Sequence, residues 1–385
     1  MSSQSQPYFQ FTESMKMVGD LARDFANREM KPVIMKYDES QEFPYEIMNK
    51  LGEMGFLGVI FPEEYQGAGF GYLEYVTILE ELSKVDPSVG LGVAAHNSLC
   101  TNHIFTFGNE DQKKKYLPLL ASGTIMGAWA LTEPTSGSDS GSMLTTAVRD
   151  GNNYILNGSK NFITHGSVGK VTVVMAITDK SKGRKGVSTF IVDNDSPGFI
   201  VSKKENKLGM RASDTSAIAF DNVQVPKEHL LGVEGEGFKQ AMIVLDGGRI
   251  SIASLALGIA QGSLDASLKY ANERVQFGQK IGTFQAIQWK LADMATQIEA
   301  ARLMTYHAAH KKNNGETVTK LSAMAKYYAS EVAAQATSEA IQIHGGYGFI
   351  KDFPVEKFYR DVKLCTIGEG TSEVQKMVIA KELLK

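Results

Sequence analysis

The hydrophobic period changes twice along this chain of 385 residues, and that change restricts the possible folds more than any other feature. Up to about residue 122, apolar residues recur three and four positions apart, as in amphipathic helices. Short runs rich in Thr, Val, Ile and Phe occupy residues 144–226, with Asp150-Gly151 and Asn157-Gly158 as predicted tight turns. Long alanine-rich helical patterns return from about residue 233. The order predicted is therefore helical, then β, then helical.

This order predicts an α+β fold that is mostly α. Residues 1–124 are expected to form an N-terminal helical domain. Short strands without intervening helices favour an antiparallel β-barrel or sandwich for the middle domain, residues 125–232. Long amphipathic helices joined by short loops favour a four-helix bundle for residues 233–385.

Composition excludes several classes of protein. Hydrophobic residues make up 43% of the chain and charged residues 22%, as expected for a globular protein with a sizeable core. The net charge of −3 and the isoelectric point of about 6.2 argue against a nucleic-acid binder, which usually carries a basic stripe. The two cysteines cannot form a disulfide framework or a cysteine-rich zinc site, so a reducing compartment is expected.

The N-terminal stretch MSSQSQPYFQFTES predicts no targeting segment. It has no basic residue before Lys16 and already carries Glu13, whereas signal peptides begin with a basic region and mitochondrial presequences contain arginines. No uninterrupted apolar run of about 18 residues occurs, so no membrane insertion is expected. These features favour a cytoplasmic bacterial protein, with a processed mitochondrial form as the alternative.

Several motifs resemble known functional sites but lack the surrounding residues or elements that such sites require. The glycines at 67, 69 and 71 have the wrong spacing for a dinucleotide fingerprint and lack a βαβ unit. His307 and His310 have no accompanying carboxylates or cysteines, so no metal site is expected. The serines of GSDSGS at 137–142 lack a histidine and aspartate context for a nucleophile.

Three other segments are candidate sites: WALTEPTSGSDSGS at 129–142, QIHGGYGF at 342–349 and IGEGTSEVQ at 367–375. The last places Glu369 between two glycines, ahead of a helix start. One interpretation is a carboxylate presented for chemistry. The other is an exposed acid before a helix whose capping box is formed by Ser372 and Gln375. The residues alone leave both open.

Eight segments in order resemble the acyl-CoA dehydrogenase family over essentially the whole chain, most closely its short-chain, butyryl-CoA-like members. They are PEEYQGAGFG, LTEPTSGSD, NGSKNFITHG, LGMRASDTSAIAFDNVQVP, LDGGRISIAS, RVQFGQKIGTFQAIQWKLADM, QIHGGYGF and YRDVKLCTIGEGTSEVQ. The resemblance implies the same three-domain fold. It also implies FAD as cofactor, α,β-dehydrogenation of an acyl-CoA to the trans-2-enoyl-CoA, and an electron-transferring flavoprotein as acceptor.

The resemblance also assigns roles in the acyl-CoA site. Glu369 matches the base that removes the α-proton, and its amide, beside Gly370, would hydrogen-bond the thioester carbonyl. Some family members carry the base at the position of Gly248, so that alternative base is absent here. Ser138, Asp246 and Arg249 match residues lining the substrate site; Arg249 either tunes Glu369 or forms a buried ion pair in the bundle.

For FAD, the family pattern matches three groups of residues. The first lies in the middle domain: Trp129, Ala130, Leu131, Thr132, Ser138, Phe162, Ile163 and Thr164. The second, Arg274, Phe277 and Gln285, would reach the FAD of a neighbouring subunit. The third comprises Gln342, Gly345 and Gly346 near the pyrophosphate, and Thr371 and Glu373 near the adenine half. A shared cofactor implies a homodimer at least, and the family is usually a homotetramer built as a dimer of dimers.

Two positions depart from the family pattern. Many relatives have an aromatic residue before the base where this chain has Gly368, which suggests room for a branched or wider short acyl group. His165 replaces a common asparagine, with no predictable effect on the flavin. Two other functions remain: a related oxidase that uses oxygen, although such oxidases are typically longer, and a catalytically silent helical scaffold.

Overall fold

The computed structural model describes residues 11–385. Its N-terminal third is helical, as predicted. Thr12 caps the first helix by accepting a hydrogen bond from the Met15 amide at 3.2 Å, and Met15, Val18 and Phe25 face the core. Short π-helical turns continue α1 and α5, at Ala26–Met30 and His96–Thr101. The helices are α1 (Glu13–Phe25), α2 (Ile34–Ser40), α3 (Tyr45–Glu53), α4 (Tyr72–Ser83), α5 (Pro87–Ala95), α6 (Asn102–Phe107) and α7 (Glu110–Ala121).

The middle of the chain forms one curled seven-stranded sheet with the order β1-β4-β2-β3-β7-β6, and β5 pairs with β4. The strands are β1 (Gly127–Ala130), β2 (Thr146–Asp150), β3 (Asn153–Thr164), β4 (Val171–Ile177), β5 (Val187–Asp193), β6 (Phe199–Lys204) and β7 (Thr215–Pro226). The predicted β domain is confirmed, but the sheet is mixed: β1 runs parallel to β4, and β2 meets β4 in a parallel bridge. The spacing of apolar residues in a sequence does not indicate whether neighbouring strands run parallel or antiparallel.

One of the two predicted turns is confirmed and the other is wrong. Gly151 (φ +56°) lies in the tight turn between β2 and β3. The pair Asn157-Gly158 instead lies inside β3, where the register with β7 shifts between Leu156 and Gly158. A Cβ at Gly158 would lie 2.5 Å from Oγ1 of Thr145, so this glycine permits a bulge beside a neighbouring segment.

The C-terminal part forms the predicted helical bundle. Its long helices are α8 (Gly237–Glu273), α9 (Gln285–Asn313), α10 (Thr319–His344) and α12 (Ser372–Leu383), with a shorter α11 (Val355–Asp361) and the two-residue strands β8 (Val275–Gln276) and β9 (Gln279–Lys280). α8 also packs on α4 of the N-terminal part, where Ser254 Oγ donates to the Val76 carbonyl at 2.5 Å. The bundle and the N-terminal helices thus share one hydrophobic core.

α8 is the single helix within residues 11–385 whose length and hydropathy would suit a membrane span. Lys239, Asp246 and Arg249 interrupt it, so it contains no uninterrupted apolar run of about 18 residues. In the structure 78% of this apolar window is buried, because α8 packs against other helices. The prediction that no targeting segment precedes the domain concerns mostly residues 1–10, which lie outside the described residues.

A buried ionic cluster at α11 links the three parts of the chain. Lys357 Nζ of α11 lies 2.5 Å from Asp86 Oδ2, at the start of α5, and 2.5 Å from Asp361 Oδ2. The other oxygen of Asp361 accepts a hydrogen bond from the Met210 amide of the middle domain at 2.5 Å. Removing one member of a buried pair would leave an uncompensated charge. The cluster therefore holds α11 against the start of α5 and the middle domain, and this fixes the position from which the segment after α11 begins.

Candidate active site

Glu369 lies in a tight turn between α11 and α12, which we call the catalytic turn, residues 367–371. Glu369 has φ +54° and Gly370 has φ +92°, so both occupy the left-handed region, which a glutamate rarely adopts. The capping-box interpretation is wrong in detail. Thr371, and not Ser372, caps α12 by accepting from the Val374 amide at 3.3 Å, and the Gln375 side chain folds back onto the turn.

The carboxylate of Glu369 is enclosed, whereas the residue as a whole is partly exposed. Its Oε2 atom is buried without a hydrogen-bond partner. A Cβ at Gly248 of α8 would lie 1.9 Å from this oxygen, so the absence of a side chain at 248 provides the space. Burial raises the pKa of Glu369 to about 7, against the opposing charges of Lys326 and Arg249. The interpretation of Glu369 as a solvated acid is therefore wrong for its carboxylate.

Asp246 and Arg249 of α8 lie beside this carboxylate as a buried ion pair. Arg249 Nη1 lies 2.6 Å from Asp246 Oδ1, and Thr319 Oγ1 donates to the other Asp246 oxygen at 2.5 Å. The Nε atom of Arg249 is buried without a partner. Both roles considered for Arg249 are compatible with this geometry, because the paired guanidinium also lowers the pKa of Glu369.

The motif comparison missed three residues that surround the catalytic turn. Lys326 of α10 is fully buried, and its Nζ donates to the Gly370 carbonyl at 2.7 Å. Gln375 Nε2 donates to the carbonyls of Glu369 at 3.0 Å and Gly370 at 2.9 Å. The hydroxyl of Tyr72 on α4 is buried without a partner, and burial together with the charge of Glu369 raises its pKa.

A periodicity argument could have found Lys326. It occupies an inward position of α10 with Ser322, Ala329 and Ala333, at helical spacing, all of which are buried. A lysine in a row of small inward residues indicates a specific buried partner. No comparable signal marks Tyr72, which lies near the turn only because α4 packs on α8.

The structure brings together the middle-domain residues that match a flavin site. Trp129 and Ala130 lie on β1, Leu131 and Thr132 follow it, and the Asn161 amide donates to the Thr132 carbonyl at 2.8 Å. Ile163 is buried, Thr164 is partly exposed, and Phe162 is 62% exposed with φ +59°. β1 ends the strand order, so one backbone edge of it is open to further hydrogen bonds.

A hydrogen-bonded chain fixes Trp129 and a buried ion pair fixes the loop after it. Trp129 Nε1 donates to His103 Nδ1 at 2.9 Å, which leaves His103 Nε2 to donate to Gln240 Oε1 at 3.1 Å. Glu133 accepts from Lys160 Nζ at 2.8 Å and from the Thr145 amide at 3.0 Å. Ser138 is exposed in the loop that begins after Glu133.

His165 lies beneath β1 and is fully buried. Its Nδ1 lies 3.2 Å from the Gly127 carbonyl, and its ring meets Phe43 edge-on with centroids 5.6 Å apart. Burial lowers the pKa of His165, which favours a neutral imidazole. This histidine therefore supports the start of β1. At Gly368, the atoms nearest to an added Cβ belong to Leu364, at 3.4 Å, which is ordinary van der Waals contact, so the position can hold a side chain that the sequence omits.

A second group of predicted residues lies on another face. Arg274, Gly345 and Gly346 line a groove of about 460 Å³, and the Arg274 guanidinium lies 5.3 Å from the Tyr347 ring centroid. We call residues 274–277 and 345–350 the open face, because Phe277 is 93% exposed and Phe349 is 86% exposed. Gln285, Gln342 and Glu373 are also exposed, and the Thr371 hydroxyl is used by its helix cap.

The arrangement fits FAD at two points. An exposed aromatic ring, Phe162, beside the open edge of β1 suits a flat isoalloxazine system that needs stacking and backbone hydrogen bonds. A guanidinium beside two uncrowded glycines suits a pyrophosphate, since a Cβ at Gly345 or Gly346 would meet nothing within 4 Å. No group of three or more histidine, cysteine, aspartate or glutamate residues within 11–385 is placed to hold a metal ion.

Three regions of the chain match descriptions of one family: acyl-CoA dehydrogenase N-terminal domain (residues 12–124), middle domain (128–223) and C-terminal domain (235–384). A short-chain specific acyl-CoA dehydrogenase of Clostridium acetobutylicum is 46% identical over 98% of this chain and 100% of its own length. A subunit of the caffeyl-CoA reductase-Etf complex of Acetobacterium woodii is 46% identical over 97% of this chain and 99% of its own.

The solved structures agree with these relatives. Butyryl-CoA dehydrogenase from Megasphaera elsdenii superposes with a TM-score of 0.97 at 44% identity, covering 98% of this chain and 100% of that one. Helical outer domains around a curled mixed sheet are the fold of a class of flavoprotein oxidoreductases. The chain belongs to the acyl-CoA dehydrogenase family.

Proposed function

We propose that this protein removes the α-proton and the β-hydride of a short-chain acyl-CoA to give the trans-2-enoyl-CoA, with Glu369 as the base. The observation that carries the proposal is the enclosed, unpartnered Glu369 oxygen in the space left by Gly248. A carboxylate with a pKa of about 7 is ionised enough at neutral pH to accept a proton and basic enough to hold it.

The chain itself supplies position and electrostatics. The carbonyls of Glu369 and Gly370 are held by Lys326 and Gln375, so the Glu369 amide, which makes no hydrogen bond to residues 11–385, remains available for a thioester oxygen. A donor at that oxygen would stabilise the enolate-like charge that develops as the α-proton leaves. FAD, when bound along Trp129–Thr132 and Phe162–Thr164, supplies the hydride acceptor.

The reverse reaction is a second candidate, because several relatives of 45–48% identity carry reductase names. In that direction, a protonated Glu369 would deliver its proton to the α-carbon of an enoyl-CoA. A pKa of about 7 suits both directions, since both forms are populated near neutral pH.

One anaerobic experiment tests the proposed reaction and its direction. Butyryl-CoA is mixed with oxidised protein, and crotonyl-CoA with protein reduced by dithionite, while the flavin absorbance is followed. Bleaching by butyryl-CoA supports dehydrogenation. Return of colour only with crotonyl-CoA assigns a reductase, and a colourless protein that binds no FAD assigns a scaffold. Rapid reoxidation of the reduced flavin when air is then admitted assigns an oxidase.

The space beside Gly368 motivates a proposal on acyl shape. A Cβ at Gly368 would meet its nearest atoms, those of Leu364, at 3.4 Å, so the bulk that a side chain would add directly before Glu369 is absent and a branched short acyl group would have more room. Comparing butyryl-, isobutyryl-, 2-methylbutyryl- and octanoyl-CoA tests it, with turnover of at least one branched substrate expected. A strict preference for octanoyl-CoA would reject it.

Assembly, redox partner and location form a further proposal. The uncovered aromatic residues of the open face, next to Arg274, favour a homotetramer built as a dimer of dimers in which neighbouring chains share the FAD site. The Etf-complex relative supports an electron-transferring flavoprotein as acceptor. The bacterial relatives support a cytoplasmic role, with fatty acid β-oxidation as the associated lipid metabolism. Light scattering of the holoenzyme and reduction of an added flavoprotein test the first two.

A further inference from the structure

We propose that Lys326 is the positioning residue of the catalytic turn: its buried cation holds the Gly370 carbonyl and keeps the neighbouring Glu369 carboxylate ionised. This inference rests on the proposed function of Glu369 and goes beyond it, because it assigns the ionisation of the base to a residue on a different helix. The geometry that carries it is the 2.7 Å hydrogen bond from Lys326 Nζ to the Gly370 carbonyl, made by a side chain with no exposed surface.

The turn needs an external tether. Glu369 and Gly370 are both in the left-handed region, and a non-glycine residue there costs of the order of 1 kcal/mol or more. Such a backbone persists only when its surroundings hold it. Lys326 and Gln375 provide this support, since together they donate three hydrogen bonds to the two carbonyls of the turn.

A buried lysine is an expensive way to donate one hydrogen bond. Removing an ammonium group from water costs several kcal/mol unless an opposite charge compensates it. Gln375 shows that a neutral amide can donate to the same carbonyl. The charge of Lys326 therefore indicates an electrostatic role, and the carboxylate that compensates it at the turn is Glu369.

The titratable groups that surround Lys326 and Glu369 come from several packed elements. α10 supplies Lys326 and the exposed Glu331, and α8 supplies Arg249, which is already paired with Asp246. α4 contributes the hydroxyls of Tyr72 and Tyr75, whose pKa values burial raises, so both remain neutral. Cys365 is likewise kept protonated, because burial raises its pKa to about 12. Within residues 11–385 Lys326 forms no ion pair, and Glu369 is the foremost carboxylate among the groups that raise its pKa.

The pKa directions agree with this geometry. Burial raises the pKa of Glu369 to about 7, and Lys326 is the foremost charge that opposes this rise. Burial lowers the pKa of Lys326 to about 8. Between these values both groups are ionised. Removing the cation should raise the pKa of Glu369 further, so activity would be lost below a higher pH than in the wild type.

The test measures how the rate of anaerobic flavin bleaching by butyryl-CoA depends on pH in Lys326→Met and Lys326→Arg holoenzymes. In Lys326→Met the acid limb should move up by about one pH unit, which makes bleaching about tenfold slower on that limb. Lys326→Arg keeps the charge and should retain the wild-type limb. Ser330→Ala is the matched control: one turn further along α10, it removes a 2.8 Å hydrogen bond to the Cys365 carbonyl without removing a charge.

An acid limb in Lys326→Met at the wild-type pH would overturn the proposal, because a purely structural lysine would lower the rate equally at all pH values. If Lys326→Met does not fold, Lys326→Gln gives the same readout with a polar side chain. Failure of the proposed function looks different: wild-type protein would then show no bleaching with any acyl-CoA. If the wild type bleaches and the acid limbs coincide, only the role of Lys326 fails.

Discussion

The catalytic turn and the open face differ in how completely a single chain encloses their side chains. At the catalytic turn, residues from α4, α8, α10 and α12 enclose a single carboxylate. The carbonyls of Glu369 and Gly370 are both hydrogen-bonded. At the open face, Phe277 and Phe349 are 93% and 86% exposed, beside a groove lined by Arg274. One chain therefore encloses the Glu369 carboxylate by itself, whereas the open face is suited to a further molecule.

This difference predicts two kinds of mutational effect. Changes at the turn should lower the rate of proton transfer while leaving folding and assembly intact. Changes at the open face should weaken assembly and cofactor retention while leaving Glu369 unaffected.

Glu369→Gln should have the largest effect. The amide is similar in shape but cannot accept the proton, so the bleaching rate should fall by about three orders of magnitude. The flavin spectrum and the thermal midpoint should stay close to those of the wild type. Glu46→Gln, at an exposed position of α3, is the control and should keep full activity. Near-wild-type turnover in Glu369→Gln would break the contrast between the two regions.

Gly248→Ala should have the next largest effect. Its new methyl group would lie 1.9 Å from Oε2 of Glu369, so the carboxylate must move. A displacement of about 1 Å at a reacting group can cost about 100-fold in rate. Rapid-mixing kinetics should show this loss with FAD content unchanged. Retained activity would mean that the carboxylate does not occupy the space beside α8 during the reaction.

The acid limb of kcat/KM should lie near pH 7 in the wild type. The base must be ionised to accept a proton, and burial raises the pKa of Glu369 to about 7, so the rate should fall as pH drops through that value. The expected slope is about tenfold per pH unit. A profile that stays flat down to about pH 5 would indicate a base with an ordinary glutamate pKa.

Phe277→Asp should affect turnover least and assembly most. A charge in place of the 93% exposed ring would weaken association by about 2 kcal/mol if a second chain covers this face. Light scattering should show a smaller species, with FAD lost more readily on dilution. Val148→Asp replaces an equally apolar exposed residue on β2 and should leave the mass unchanged. Equal masses for both variants would place the contact between subunits elsewhere.

The sequence predicted those parts of the molecule that depend on local pattern. The change of period gave the helical, β and helical order, and the glycines around Glu369 drew attention to a turn that is in fact left-handed at 369 and 370. It failed where the outcome depends on a partner segment. Asn157-Gly158 has the composition of a turn, but β3 continues through these two residues because it pairs with β7 on both sides of them.

The same limit explains the site residues that were missed. Tyr72 reaches the catalytic turn through the packing of α4 on α8, and Lys326 reaches it from α10, so neither is close to Glu369 in sequence. Thr371, and not Ser372, is the helix cap because the left-handed pair at 369 and 370 ends immediately before it, so α12 begins at Ser372, one residue earlier than the capping-box interpretation implied. Roles for the matched flavin residues stay predictions, since the fold brings them to two faces that a single chain does not close.

Hydrogen exchange at the α-carbon tests the central claim most directly, because it isolates proton removal from the later steps. Butyryl-CoA is incubated anaerobically with holoenzyme in D₂O, and deuterium at the α-carbon is measured by mass spectrometry or NMR. The account predicts that the wild type introduces deuterium at this carbon and that Glu369→Gln, which still binds FAD and the thioester, does not. Equal incorporation by the two proteins would contradict it.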